Sequence, residues 1–121
     1  LSKLEIEGLN QKLKEVFEVE KVFLNSELTL AQLSEKLGAS THDVSWLLNN
    51  VHNANFYDYV NGLRVHEFIH LLKTGKLQDY TILALALEAG FKSKSTFNKA
   101  FKTAMSETPS QFIQKLKTSS Q

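Results

Sequence analysis

The 121-residue chain contains no cysteine and only one proline. The absence of cysteine excludes a disulfide framework and thiolate metal sites, and it fits a reducing compartment such as the cytoplasm. No apolar run approaches the roughly 18 residues of a membrane-spanning helix, and the N-terminal stretch LSKLEIEGLN does not resemble a signal peptide. Hydrophobic residues make up 42% of the chain, which is enough for one core. We therefore predict a single domain over residues 1–121 without membrane contact.

Charge is balanced overall but is unevenly distributed along the chain. Residues 1–61 carry five Lys or Arg and nine Asp or Glu, a net charge of −4. Residues 62–121 carry nine basic and four acidic residues, a net charge of +5. The second half is therefore suited to a polyanionic partner, although a charge of this size does not by itself identify one.

The spacing of apolar residues predicts an all-α fold. They recur every three or four positions, whereas the alternation typical of strands is missing. We predict about seven helices, with a first helix at roughly 4–19, paired helices within 29–52, a long helix at 55–74, a second pair within 81–105 and a closing helix at 109–117. Capping boxes at Thr29 with Gln32 and at Thr108 with Gln111 mark two helix starts. The periodicity also predicts that His52 lies near the end of a helix and that four further side chains face the core: Val51, Ala104, Phe112 and Leu116.

One arrangement occurs twice in the chain. A short apolar helix ends at a glycine, a tight turn follows, and a second helix begins at a hydroxyl cap, first around EKLGAST and again around EAGFKSKS. Two helices joined in this way form a helix-turn-helix unit, whose second helix can enter the DNA major groove.

The second helix of the later pair offers DNA-binding chemistry. With Phe97 and Phe101 facing inward, its outward face carries Lys94, Ser95, Asn98, Lys99 and Lys102. Ammonium groups bind phosphates or guanine, and an amide binds adenine. The start of the helix, with Ser93 and Thr96, can donate to a phosphate. An ordinary solvated basic face is the alternative, and the position after a tight turn favours DNA.

The second helix of the earlier pair is less basic. Its outward face carries His42, Ser45, Trp46 and Asn49, and Asp43 disfavours phosphates. An outward tryptophan can pack on a thymine methyl group or a sugar edge, or alternatively against the first helix.

Residues 9–117 resemble the DNA-binding domain of AraC/XylS-type transcription regulators. The resemblance is most specific in YTILALALEAGFKSKSTFNKAFKTAMSETPSQF and looser in LTLAQLSEKLGAS and around Arg64. The residues that fit the family pattern are Ala86, Gly90, Phe91, Ser93, Phe97, Phe101, Lys102, Thr108, Pro109, Ser110 and Phe112.

The resemblance implies a homeodomain-like fold in which the long helix joins two helix-turn-helix units, whose second helices enter successive major-groove segments. It implies base contacts from His42, Ser45, Trp46, Lys94, Ser95, Asn98 and Lys99, and backbone contacts from Ser93, Thr96 and Lys102. Double-stranded DNA is then the partner and no cofactor is expected. RNA polymerase and a separate sensing or dimerising domain are further expected partners, the chain being a fragment of a longer bacterial regulator.

Two positions depart from the family pattern. Ser106 stands where a glycine is usual, at a turn that favours positive φ, so the turn before the closing helix is expected to differ. Ile113 replaces an arginine, and the second helix of the earlier pair is poor in basic residues. These last two features favour weak DNA binding by the isolated domain, or readout mainly by the later helix. The acidic first half and the poorly basic helix also motivate an alternative, a helical protein-interaction module with weak or lost DNA affinity.

The stretch VHEFIH contains the H-E-x-x-H spacing of zinc proteases, at His66, Glu67 and His70. Helical periodicity turns these three residues outward, and no histidine follows His70 to supply a third ligand. We therefore predict no catalytic residue and no metal site. Adventitious zinc binding by His66 and His70 is the more plausible metal chemistry.

Overall fold

The structure, a computed structural model, describes residues 1–119, with residue 77 described by its backbone alone. Within these residues there are seven α-helices and two single-turn 3-10 helices, and no strand. The α-helices are α1 (Lys3–Glu18), α2 (Leu30–Leu37), α3 (Thr41–Val51), α4 (Phe56–Lys73), α5 (Ile82–Glu88), α6 (Lys94–Met105) and α7 (Pro109–Ser119), and the 3-10 turns are Val22–Leu24 and Lys76–Gln78. The predicted all-α class and the seven helices are confirmed. The two 3-10 turns were not predicted.

Side-chain caps start the helices where the sequence pattern predicts. The Thr29 hydroxyl accepts a hydrogen bond from the Gln32 N–H at 3.1 Å, and Gln32 Oε1 accepts one from the Thr29 N–H at 3.1 Å. Thr108 and Gln111 form the same reciprocal pair ahead of α7. A further box between Ser2 and Glu5 was not predicted, and it places the start of α1 at Lys3.

Backbone contacts divide the chain into two compact units, Leu1–Val60 and Asn61–Gln121, and α4 begins in the first and continues into the second. The prediction of a single domain over residues 1–121 stays a prediction. Each unit contains one helix-turn-helix pair, α2 with α3 in the first and α5 with α6 in the second.

In the first unit, α2 packs against both α1 and α3. The buried core residues of this unit are Leu9, Leu13, Val16, Phe17, Phe23, Leu28, Leu33, Leu37, Val44, Leu47, Leu48, Phe56 and Val60. The prediction that Val51 completes the buried stripe of α3 is wrong, since its side chain is 41% exposed. Val51 is the last residue of α3, and the chain turns away at Asn53, where φ is 55°.

The second unit is built on a cluster of aromatic rings. The buried Phe97 ring lies 4.6 Å from that of Phe68, 5.3 Å from that of Phe91 and 5.9 Å from that of Phe101, centroid to centroid. The other buried members are Val65, Leu72, Leu85, Ala86, Ala89 and Ile113. Such ring pairs are stabilising beyond the apolar area that they bury.

The closing helix faces the core through the two residues predicted and through a third. Phe112 and Leu116 are partly buried and pack against the core, and the Phe112 ring lies 5.5 Å from that of Phe101. Ile113, which was not predicted to face the core, is buried at 7% exposure. Ile113 thus completes this core in place of the usual arginine. Ala104 was predicted to face inward and is exposed, whereas Met105 beside it packs against the core.

The turn between α6 and α7 keeps the left-handed conformation without glycine. Ser106 is the C-terminal cap of α6 with φ 61° and ψ 19°, so the expectation of a different turn is wrong. Its N–H donates to the Lys102 carbonyl at 2.8 Å, which holds the turn in place. A residue with a Cβ in this region is strained by about 1–2 kcal/mol.

We expect Ser106→Gly to raise the free energy of unfolding by about 1 kcal/mol, because glycine adopts this backbone without strain. Urea denaturation followed by circular dichroism measures the change. Gly38→Ala is the matched control, since Gly38 also has positive φ and a Cβ there would meet nothing within 4 Å. It should lower the same free energy by a similar amount. An unchanged or reduced stability of Ser106→Gly would contradict the assignment of strain.

Candidate nucleic-acid interface

The orientation of α6 follows from its two buried phenylalanines. Phe97 and Phe101 are one turn apart and almost fully buried, so the opposite side of the helix faces solvent. All five predicted residues on that side, Lys94, Ser95, Asn98, Lys99 and Lys102, are exposed. Within residues 1–119 the three lysines form no ion pair. The structure therefore brings these side chains together on one basic surface.

The N-terminus of α6 is ordered by its own hydroxyl groups. Ser93 Oγ accepts a hydrogen bond from the Thr96 N–H at 3.2 Å and lies 3.1 Å from Thr96 Oγ1, to which it donates. The Ser93 hydroxyl is thus engaged in capping the helix. The hydroxyl proton of exposed Thr96 remains able to donate to an external acceptor.

An open groove of about 870 Å³, called here the α6 groove, runs along this surface within the second unit. Its walls are Ile82 and Leu83 of α5, Lys94, Asn98, Lys99, Lys102 and Thr103 of α6, and Thr108, Pro109 and Ser110 at the start of α7; Thr81 and Phe97 complete its lining. Among the residues that the structure describes, no acidic side chain lines it. The sequence interpretation did not assign Leu83, Thr103 or Ser110 to this surface. Only their positions in the sequence could have indicated a place on this surface. Leu83 and Ser110 lie at helix starts, and Thr103 lies one turn after Lys99.

The outward face of α3 has a different character. His42, Ser45 and Trp46 lie on one side of the helix, and Trp46 is 38% exposed. Asn49 Nδ2 donates to the Ser45 carbonyl at 2.9 Å, so this amide is folded back on its own helix. α3 contains no lysine or arginine, and Asp43 occupies its first turn. This face therefore presents an aromatic ring and few charges.

The C-terminal end of α3 is held by a contact between residues distant in sequence. His52 caps α3, and its Nε2 atom lies 2.6 Å from Asn10 Oδ1 of α1. The His52 ring also meets the Tyr59 ring edge-on, and Tyr59 in turn packs on Phe17. Burial raises the pKa of Tyr59, and the charge of Glu18 adds to the shift. Sequence reasoning placed His52 at this helix end and gave no sign of Asn10.

The H-E-x-x-H residues lie on α4. His66 and His70 are exposed, and Glu67 is partly buried. The Lys76 ammonium donates a hydrogen bond to Glu88 Oε1 at 2.9 Å, which raises the pKa of Lys76. The charges of Glu88, Tyr80 and Glu67 act in the same direction. Among the described residues no group of three or more His, Cys, Asp or Glu side chains is placed to hold a metal ion. The arrangement lacks the third protein ligand of a catalytic zinc site.

Comparison with known proteins gives concordant matches. Residues 33–115 match the family described as "Helix-turn-helix domain". A Staphylococcus aureus (strain COL) protein named "Uncharacterized HTH-type transcriptional regulator" is 29% identical over 104 residues, which are 85% of this chain and 13% of that protein. The "TCP pilus virulence regulatory protein" of Vibrio cholerae is 34% identical over 58 residues, 48% of this chain and 20% of that protein. The chain thus spans a small part of these bacterial relatives.

Two solved structures share the fold. The C-terminal domain of AraT, a response regulator from Geobacillus stearothermophilus, has a TM-score of 0.69 at 24% identity and covers 95% of this chain and 87% of that chain. The C-terminal domain of the two-component response regulator yesN from Fusobacterium nucleatum has a TM-score of 0.64 at 28% identity, covering 92% and 98%.

The class of protein is defined by the fold, the basic helix-turn-helix surface and the matched relatives. It is the class of DNA-binding domains of transcription regulators, which are not enzymes. The chain belongs to the AraC-type helix-turn-helix family. Within its described residues, no helix is both long and apolar enough to cross a membrane.

We expect any zinc held by α4 to be removed by dialysis, because two imidazoles leave the other coordination positions to water. Metal analysis by atomic emission after dialysis measures this. Reversible binding of added zinc in calorimetry should disappear in His70→Gln and persist in the control His42→Gln. One zinc ion per chain surviving dialysis would contradict the expectation.

Proposed function

We propose that the chain binds double-stranded DNA sequence-specifically, as the output domain of a bacterial transcription regulator. The observation that carries the proposal is the exposed α6 surface, where three lysines flank an asparagine directly after a helix-turn-helix turn. These lysines form no ion pair within residues 1–119. Lysines in such a position bind phosphate or guanine, and exposed amides read base edges.

The residues of α6 divide between two tasks in this proposal. Lys94, Ser95, Asn98 and Lys99 contact bases, with the Asn98 amide in the bidentate geometry that selects adenine. Lys102, Thr96 and the capped Ser93 contact the DNA backbone. Thr96 retains a hydroxyl proton for a phosphate oxygen, whereas Ser93 acts by fixing the helix start, where the N–H groups favour anions.

In the first unit, we assign base contacts to His42, Ser45 and Trp46. The exposed part of the Trp46 ring suits a thymine methyl group or the sugar edge of the groove better than a phosphate. The family resemblance implies that α3 and α6 enter successive major-groove segments. With no lysine or arginine on α3, most of the salt-dependent affinity should come from α6.

The regulatory partners of this domain lie outside the chain in our proposal. The chain spans 13% of the length of the Staphylococcus aureus regulator, and other segments of that length have room for a sensing or dimerising domain. We propose such a domain and RNA polymerase as partners, with DNA binding as the contribution of residues 1–121.

A second candidate function is a helical protein-interaction module with weak DNA affinity. The acidic first half of the chain and the absence of lysine and arginine on α3 favour it. Titration of mixed-sequence duplex DNA at two salt concentrations, followed by Trp46 fluorescence, separates the candidates. Salt-dependent binding supports the DNA function. No binding even at low salt, in a folded protein, supports the interaction module.

We expect Lys102→Ala to weaken binding to all duplexes alike and to reduce the slope of log affinity against log salt by about one, because one phosphate contact is lost. Fluorescence anisotropy across a salt series measures the slope. Lys12→Ala, on a helix outside both helix-turn-helix pairs, is the control and should leave the slope unchanged. A loss confined to one DNA sequence would contradict the backbone role.

We expect Asn98→Ala to relax the preference at one base pair, with a loss of about 1–3 kcal/mol for the preferred duplex, because the bidentate amide contact is removed. Selection of bound duplexes from a random pool, followed by competition assays, measures the preference. Asn50→Ala is a suitable control, since the Asn50 amide donates to its own helix at the Trp46 carbonyl. An equal loss for every duplex would show that Asn98 does not read a base.

A further inference from the structure

The α6 groove has an apolar component that phosphate binding does not require. Ile82 and Leu83 of α5 and Pro109 of α7 contribute to its walls. Leu83 is 40% exposed although it is a leucine beside a well-packed core. Covering this leucine with a ligand removes apolar surface from water, at about 25 cal/mol per Å².

The charged part of the groove complements an anion. Three lysines line it: Lys94, Lys99 and Lys102. Within residues 1–119 no acidic side chain lines the groove and these lysines form no ion pair. Lysine stems can lie along apolar surface while their ammonium groups reach a charged group. The groove therefore combines an apolar wall with a cationic rim.

The size of the groove suits a small organic molecule. Its volume of about 870 Å³ falls within the range of roughly 300–1,000 Å³ typical of sites for drug-sized ligands. Such sites are mostly apolar, with a few polar groups that orient the ligand. The exposed Ser110 hydroxyl can serve this purpose, and Thr108, whose oxygen caps α7, retains a hydroxyl proton to donate.

We propose that the α6 groove binds a small organic anion, an apolar body with one carboxylate or sulfonate group, and that this ligand and DNA exclude one another. The apolar body covers Leu83 and its neighbours, and the anionic group is bound by the lysines. Mutual exclusion rests on the proposed function, since the same lysines are assigned there to DNA. The groove is then a site at which a small molecule controls DNA binding directly.

The probe for the first test is 8-anilinonaphthalene-1-sulfonate, an apolar sulfonate that becomes fluorescent when its rings leave water. We expect saturable binding with one site per folded chain. Leu83→Glu should raise the dissociation constant at least about tenfold, a loss of about 1.4 kcal/mol, by adding a negative charge to the apolar wall. Leu87→Glu is the matched control, because Leu87 is on the same helix, is 49% exposed and does not line the groove.

A second pair of variants keeps the test valid if Leu83→Glu disturbs the fold. Lys94→Glu reverses one charge at the rim and should weaken dye binding, whereas Lys73→Glu lies outside the groove and should leave it unchanged. Circular dichroism establishes that each variant is folded. Equal dye binding by the wild type, Leu83→Glu and Lys94→Glu would overturn the proposed site.

Competition with duplex DNA tests exclusion. We expect added duplex to displace the dye and to raise its apparent dissociation constant linearly with the concentration of free duplex. Simultaneous binding of dye and duplex would overturn mutual exclusion. If the dye binds in the groove but no duplex binds at low salt, the proposed DNA function fails while the anion site stands, so the two failures are distinguishable.

Discussion

The rotation of α6 about its axis is the constraint on which the candidate site depends. Phe97 is 1% exposed, and its ring contacts those of Phe68, Phe91 and Phe101. Because Phe97 and Phe101 are a turn apart on one side of α6, their burial determines which residues face solvent. A different rotation would expose both rings and bury lysines, at a large cost in free energy. Core packing thus presents the basic surface.

The two helix-turn-helix pairs share local geometry and differ in surface chemistry. Each first helix is followed by a glycine with positive φ, at Gly38 and Gly90, and each second helix begins at a serine cap. α6 then presents three lysines, whereas α3 presents a tryptophan and folds its Asn49 amide back on itself. The shared turns make both second helices available to a partner. Because of this difference in charge, α6 is suited to attract an anionic partner, whereas α3 is suited to van der Waals contact with a partner of complementary shape.

The histidine pair and the α6 groove show that a sequence motif alone does not predict a binding site. H-E-x-x-H has the spacing of a zinc site, but no third ligand lies in position among the described residues. By contrast, no sequence motif marks the groove, which forms where the starts of α5 and α7 meet the outward face of α6. Its lysines suit DNA phosphates and its exposed Leu83 suits an apolar body, so one surface is suited to two competing ligands.

The sequence by itself was enough to predict most helix starts, the glycine turns and the outward face of α6. These features are local, because a cap or an amphipathic pattern involves residues within about four positions of one another. The same patterns could not predict that Ile113 is buried, that Val51 and Ala104 are exposed, or that Ser106 keeps the glycine conformation. These local patterns also could not predict the Asn10–His52 contact, which joins residues 42 positions apart. They could not place Leu83 in the groove either. Only tertiary structure decides these features, because each depends on which distant residues pack against a position, and periodicity along one helix carries no information about its neighbours.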